Sequence, residues 1–452
     1  MRLSTETLGR VSGDAQLPAY DRASQASAIV HFGIGAFHRG HQAWYTDACL
    51  GSGEQGWMIA GVSMRSASVA EQLNPQDGLY TLTERSGEDA QTRVIGAVRE
   101  VLVAQQSSVK VIKRLAAPET HIVTFTVTEK GYCRAADGSL DIDLARAGFY
   151  PLVSESLRER KRKGFGGLTL LSCDNLASNG KQLGRLMRDW LVAEAPDLLD
   201  WFANNCTTPD SMVDRIVPAS TNDDLDALEA SIGLRDEGAI FTEPFSQWVI
   251  EDHFAGPRPR WEEHGAQIVP DVTPFETAKL RMLNGAHSLL AYCGLKAGYA
   301  FVHEAVGDAT LRALVLQLMR EEAAPTIKAG EGQDLNAYAD ALLGRFDNAA
   351  LNHRLIQIAM DGSQKIPQRW LETLAAHQRG GDQCPAILEG IAAWILHLRG
   401  ANGRVDDPRA AELGQAAAST EPVLALFGPG GSMESAWQPT APDIQIVTNH
   451  LF

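Results

Sequence analysis

The stretch Phe32-Gly33-Ile34-Gly35-Ala36-Phe37-His38-Arg39-Gly40-His41 decides how the first part of the chain is read. It follows a short apolar run, Ile29-Val30-His31-Phe32, and leads into a segment of helical character containing Ala43, Trp44 and Tyr45. Glycines at a strand-to-helix turn let backbone N–H groups approach a pyrophosphate, and the helix N-terminus adds positive potential. The pattern is GxG with a further glycine five residues on, which is not a strict GxGxxG. A tight turn with no ligand can carry the same glycines. Its place at the first strand of an α/β pattern favours a dinucleotide, with Gly33, Gly35, Phe37, His38 and Arg39 as the candidate cofactor-binding residues.

Further apolar runs lie downstream. Trp57–Val62, His121–Val127 and Leu168–Ser172 each read as a strand, and helical stretches such as Leu152–Lys163 fall between them. Strands alternating with helices predict a parallel sheet covered on both faces. From Phe275 onward the pattern turns helical, punctuated by Gly and Pro. Candidate helices are Phe275–Tyr292, Thr310–Ala323, Asp334–Leu343, Ala349–Met360, Pro367–Gln378 and Pro385–Leu398. The expectation is an α/β fold: a Rossmann-type domain over residues 1–272 and a mainly α-helical substrate-binding domain over 273–452.

Composition limits the function classes. The 452 residues carry a formal charge of −16, which repels phosphate backbones and argues against nucleic acid as a partner. No apolar run reaches the ~18 residues of a membrane span, and the N-terminus lacks the apolar core of a signal peptide. The six cysteines form no CxxC pair, which points to a reduced, cytoplasmic protein rather than a disulfide framework. His31, His38 and His41 have no suitably spaced companions for a metal site. There is no GxSxG and no GxxxxGK[ST], so hydrolase and P-loop readings lack support.

After the second strand, where a carboxylate usually binds the adenosine ribose, the chain reads Gly61-Val62-Ser63-Met64-Arg65-Ser66-Ala67-Ser68. Arg65 with Ser63 and Ser66 suits a 2′-phosphate as well as a bare ribose, so both NAD and NADP stay open, and Arg65 is also readable as a surface arginine. The second constellation is Lys279-Leu280-Arg281-Met282-Leu283-Asn284-Gly285-Ala286-His287-Ser288. At about 100° per residue, Lys279, Asn284 and His287 fall within an arc of roughly 140°. An amphipathic helix with its polar side in water gives the same pattern. The functional reading is a proton-transfer lysine, with Arg281 and Lys365 as cations able to lower its pKa, beside donors that polarise a carbonyl. Thr128-Glu129-Lys130-Gly131-Tyr132 and Ser172-Cys173-Asp174-Asn175 sit at strand C-termini, where open α/β sheets bind ligands. Met212–Ile216 and Asp361–Pro367 also stand out.

Together these stretches resemble the polyol-specific long-chain dehydrogenase/reductase (mannitol dehydrogenase) family over nearly the whole chain. The resemblance rests on Gly33–Tyr45, Val127–Tyr132, Ser172–Asn175, Met212–Pro218, Glu243–Asp252, Lys279–Ser288 and Asp361–Arg369. It implies a Rossmann-type domain, a helical domain, a substrate cleft between them, and zinc-independent hydride transfer between a nicotinamide and a sugar carbonyl. Lys279 matches the family's catalytic acid/base. Asn284 and Asn175 match the amides on the reacting oxygen. His287 and Asp214 match residues that orient substrate hydroxyls, Lys365 a substrate-contacting lysine, and Glu129 a glutamate on the proton path.

Two departures bear on the substrate and cofactor. Gln357 stands where mannitol dehydrogenases carry an arginine, whereas the Lys279–Gly285 and Gln357–Lys365 stretches look like the fructuronate reductase (mannonate oxidoreductase) branch. Arg281 suits a carboxylate. The acids of NAD-selective members are replaced by Ala67 and Ser68. The expectation is therefore an NAD(P)-dependent reductase converting fructuronate to D-mannonate, with NAD or NADP and no metal. The alternatives are a polyol dehydrogenase for mannitol, arabinitol or sorbitol and, more remotely, a non-catalytic dinucleotide-binding protein. The expected partner is a small sugar acid or polyol, and the expected state a monomer or weak homo-oligomer.

Overall fold

A strand buried on both faces favours a nearly continuous apolar run, and Ile29–Phe32 (β1) is one, interrupted by His31. In the computed structural model, which describes residues 1–87, 89–135, 137–351 and 353–451, all four of its residues are buried. β1 pairs in parallel with Ile59–Ser63 (β2) on one side and Ile122–Phe125 (β6) on the other. Thr169–Ser172 (β7) extends the sheet beyond β6, and Val98–Val103 (β5) extends it beyond β2. The order β5-β2-β1-β6-β7 is wholly parallel, with the chain starting centrally and winding outward both ways. That is the Rossmann arrangement.

β5 was not among the sequence-predicted strands. It is an edge strand, and its polar residues Arg99 and Glu100 interrupt the apolar run. Between β2 and β5 the chain also makes an antiparallel pair, Tyr80–Ser86 (β3) and Asp89–Ile95 (β4). β3 pairs in parallel with Ile240–Thr242 (β9). A third sheet joins Ser211–Asp214 (β8), Gln247–Glu251 (β10) and Gln267–Val269 (β11). These strands are short or carry Thr, Glu, Arg and Gln on one face, so they lack the signature of the central sheet.

The chain divides into two compact units, Met1–Val272 and Thr273–Phe452. The second is helical throughout, with no strand among its described residues. Its core holds Met282, Leu289, Leu290, Tyr292, Trp370, Ile391 and Trp394, all nearly inaccessible. Pro385–Leu398 is a helix as expected, with a proline in its first turn where the missing N–H costs nothing. The expected helix over Ala349–Met360 is instead a 3₁₀ turn, Ala349–Leu351, and one α-turn, Leu355–Ile358. The backbone between them is drawn off by a bridge to Phe301: Val302 N donates to His353 O (3.0 Å) and Leu355 N to Ala300 O (3.0 Å).

Three stretches of the second unit are π-helical: Lys279–Asn284, Leu318–Ala323 and Pro367–Leu371. The first interrupts what is otherwise one helix running from Thr273–Ala278 into Gly285–Ala297. Wide turns of this kind recur at functional sites, because they displace side chains from α-helical register. No helix among the described residues is long and apolar enough to cross a membrane.

Candidate active site

In the first unit, the turn after β1 is built around Gly33, whose φ is +93°. A Cβ there would lie 2.1 Å from the carbonyl oxygen of Thr126, so no side chain fits. The Thr126 hydroxyl donates to Gly33 O (2.8 Å), fastening the turn to the end of β6. Gly35 is exposed, and a Cβ there would meet nothing closer than 3.7 Å. The fold does not require that glycine. What it leaves open is the wall of a cavity of about 440 Å³, lined by Gly33, Gly35, Ser63, Arg65, Thr126 and Lys130 among others. Bare backbone at a strand-to-helix turn, with cations around it, fits the pyrophosphate of a dinucleotide.

Arg65 is exposed in that cavity and makes no ion pair among the described residues. The hydroxyls beside it are linked: Ser63 donates to Ser66 O (2.5 Å), and Ser66 and Ser68 share a hydrogen bond (2.9 Å). His38 and Arg39 take a different place from the one expected. Both are buried, and they support the turn from behind rather than line the cavity. His38 stacks on His31 with ring centroids 3.4 Å apart, and its Nδ1 lies 3.2 Å from Gln42 Oε1. Arg39 gives its Nη1 to Gly238 O (2.6 Å) and its Nε to Gly35 O (3.3 Å). Phe37 stacks on His41 (5.1 Å), and His41 Nε2 lies 2.9 Å from Gln247 O. Of this five-residue helix, Ala36–Gly40, the buried residues are His38, Arg39 and Gly40. Burial pushes His31 down to about 3 and His38 well below the usual histidine range, so both rings are neutral.

Glu129 and Asn175 are exposed after the ends of β6 and β7, and Asp214 is buried at the end of β8. The residue that organises the first two is one the sequence reading left without a role. Asp174 accepts hydrogen bonds from Val127 N (2.9 Å), Thr128 N (2.9 Å) and Tyr132 Oη (2.9 Å). It thereby holds Thr128 at φ +63°, a costly backbone for a β-branched residue. The signal for it in the sequence is an acid beside Asn175 at a strand C-terminus, in Ser172–Asn175.

In the second unit the π turn carries Lys279 at one end and Asn284 at the other. Its wider winding narrows the angle between them relative to α-helical spacing. Lys279 is buried, only 8% exposed. His287 follows one turn on, its ring 4.8 Å from that of Phe346 and 5.3 Å from that of His353. Burial, then the positive field of His353, Arg345 and Arg369, holds His287 far below the ordinary value. A neutral imidazole has one donor and one acceptor nitrogen, which suits a hydroxyl. Its Nε2 is buried without a hydrogen-bond partner among the described residues.

Lys365 gives its ammonium to Met360 O (2.6 Å) and Ile358 O (3.3 Å). Its pKa is lowered first by burial and then by Arg369, against the opposing pull of Asp361 and Asp407. Arg281 does not supply the free guanidinium expected of it. Its Nη1 donates to Thr326 Oγ1 (2.8 Å) and Thr326 O (3.1 Å), and its Nη2 pairs with Glu372 (3.0 Å). It sits within the π turn, but its charge is spent on neighbouring helices.

The predicted site residues thus fall into two groups. Asn175, Glu129 and Asp214 belong to the first unit, whereas Lys279, Asn284, His287 and Lys365 belong to the second. Among the described residues no three His, Cys, Asp or Glu side chains are grouped to hold a metal.

Residues 27–263 match the mannitol dehydrogenase Rossmann domain, and residues 271–426 match the mannitol dehydrogenase C-terminal domain. D-mannonate oxidoreductase of Escherichia coli strain K12 is 41% identical, over 91% of this chain and 86% of that protein. A D-sorbitol dehydrogenase crystal structure in substrate-free form superposes with a TM-score of 0.93 at 31% identity, covering 100% of this chain and 97% of the other. A Pseudomonas fluorescens mannitol 2-dehydrogenase, in ternary complex with NAD and D-mannitol, gives a TM-score of 0.81 at 32% identity, covering 100% and 96%. The chain belongs to the mannitol dehydrogenase family, as an oxidoreductase of CH–OH groups.

Proposed function

We propose that the protein interconverts fructuronate and D-mannonate with a nicotinamide dinucleotide, without zinc, and that Lys279 is its acid/base. The observation that carries the substrate reading is the cationic surrounding of the Lys279–Asn284–His287 helix in a chain whose net charge is −16. Positive groups held at low hydration beside a reacting centre favour an anionic substrate over a neutral one. The D-mannonate oxidoreductase relative supports the same reading.

When bound, the reduced nicotinamide supplies a hydride to the carbonyl carbon. Asn284 and Asn175 donate amide hydrogens to the carbonyl oxygen, which strengthens as charge builds there. Lys279 gives that oxygen its proton, and Glu129 passes a replacement toward the lysine. In the oxidative direction Lys279 takes the proton back. His287, neutral at physiological pH, and Asp214 hold substrate hydroxyls, and Lys365 makes a further substrate contact. Gly33 and Gly35 receive the pyrophosphate. Arg65, exposed beside Ser66 and Ser68, receives the 2′-phosphate of NADP, so the protein accepts NADP as well as NAD.

A polyol dehydrogenase acting on mannitol, arabinitol or sorbitol is the second reading. It is favoured by the engagement of Arg281 with Glu372 and Thr326, which removes that arginine from carboxylate recognition. Initial rates of NADH and NADPH oxidation with fructuronate, tagaturonate and fructose decide between the two. We expect kcat/KM for fructuronate to exceed that for fructose at least ~100-fold, the scale of one lost charge-assisted contact. A preference for fructose overturns the proposal in favour of the polyol reading.

A further inference from the structure

Arg369 has no role in the reaction as described so far, yet it lies against the catalytic helix. It stands on the π turn Pro367–Leu371, one turn beyond Lys365. Its Nη1 donates to the carbonyl of Asn284 (3.2 Å) and to the hydroxyl of Ser288 (2.8 Å). Trp370 beside it donates Nε1–H to Gly285 O (3.2 Å), so the two π turns are cross-bonded at adjacent carbonyls. Among the described residues, all of Arg369's hydrogen bonds run through Nη1. Its Nε and Nη2 make none among the described residues, and no carboxylate there pairs with it. These two nitrogens form the straight edge that carboxylates grip with two parallel hydrogen bonds.

The neighbourhood has the matching charge. Burial pushes Arg369 down to about 10, against the upward pull of the Tyr292 phenol. The acids near Lys365 act on that lysine instead: Asp361 begins the turn that carries it, and Asp407 is hydrogen-bonded to Ser363 N and Oγ (2.7 Å each). The result is a half-buried guanidinium fixed through one nitrogen, with a lysine beside it and a bidentate edge free. Arg281, the arginine that the sequence singled out, has two of its three nitrogens committed.

We infer that the Nε–Nη2 edge of Arg369, with Lys365 next to it, is the seat for the carboxylate of a sugar-acid substrate whose carbonyl oxygen lies on Asn284. The inference rests on the sugar-acid reading of this same site. It assigns the discrimination between a uronate and a neutral ketose to a residue that also braces the π turn.

The wild-type protein first tests the parent reading, by its rates on fructuronate and fructose and by calorimetric titration with D-mannonate and D-mannitol. Arg369→Gln and Arg369→Lys then test the inference. In the Gln variant the fructuronate-to-fructose ratio of kcat/KM is expected to fall about 100-fold and mannonate affinity about 30-fold or more, with mannitol affinity changing far less. The Lys variant keeps the charge without the fork and is expected to lose about 10-fold in both. Ser288→Ala removes one bond on Nη1 and leaves the free edge, so the ratio should stay within about two-fold of wild type. If both substrates lose equally in Arg369→Gln, or the ratio collapses in Ser288→Ala, Arg369 only positions the turn and the inference falls while the sugar-acid reading stands. If the wild type prefers fructose and binds mannonate no better than mannitol, the parent reading fails, and the inference with it.

Discussion

The cavity of the first unit and the Lys279 helix of the second, the two places proposed above to recognise cofactor and substrate, are built in opposite ways. The first offers backbone. Gly33 folds back at φ +93°, Gly35 stands open, and the walls are strand ends fixed by Thr126 and Asp174. The second carries side chains on a distorted helix: Lys279 and Asn284 in one π turn, His287 just beyond it, and Arg369 in another π turn bonded to the first. A backbone site is tied to steric rules and announces itself through glycine spacing. A side-chain site depends on which charged group is already satisfied by a neighbour, which spacing does not reveal.

The largest expected effect tests the side-chain site. Lys279→Ala should lower kcat by about 10²–10⁴, the usual contribution of positioned proton transfer, with NADH affinity by fluorescence titration little changed. Full turnover in that variant would remove Lys279 from the chemistry and erase the contrast. The backbone site is tested by Gly33→Ala, which puts a Cβ 2.1 Å from Thr126 O and forces a strained φ. A loss of about 3 kcal/mol or more is expected in chemical denaturation, together with loss of dinucleotide binding. A folded variant that still binds NADH would mean the turn is not held by sterics.

The third test concerns the wall behind the turn. His31 is neutral when folded, near 3, and near 6.5 when unfolded, so the unfolded chain takes up its proton first. Its contribution to stability is present above pH 6.5 and is lost as the pH falls from there toward 3. One unit below 6.5 the loss is about 1.4 kcal/mol. Denaturation at pH 7.5 and 5.5 should therefore show a smaller pH dependence in His31→Asn than in wild type by about that amount. Equal slopes would mean that the ring is hydrated in the native state. The smallest effect is expected at the cavity mouth. Arg65→Ala should cut the NADPH-to-NADH ratio of kcat/KM about 10-fold, and an unchanged ratio would take the 2′-phosphate away from Arg65.

The parts of the fold that were readable are those where burial is complete. β1, β6 and β7 are buried at every position and rich in Ile, Val, Leu and Phe, with Thr, Ser or His between them. β3, β4 and β5 escaped notice because a half-covered or edge strand mixes Thr, Glu and Arg into its run, which periodicity cannot distinguish from loop. Among the candidate site residues, Lys279, Asn284 and His287 were readable as a set because they lie on one continuous helical stretch. Asp174 and Arg369 were inside stretches already singled out but remained without a role, since each acts through backbone groups distant in sequence: Val127 and Thr128 for one, Asn284 for the other.

The amino-acid sequence by itself determined the two-part α/β and helical plan, the glycine turn and the identity of the polar set on the helix after Thr273. These follow from local sterics and from which faces must leave water. Only the tertiary structure decided which of two arginines beside that helix remains available. Arg281 meets Glu372, 91 residues away, whereas Arg369 meets a carbonyl and a hydroxyl that leave its charge uncompensated. Charge neutralisation depends on distance in space, and the chain brings those partners together only when the helices pack.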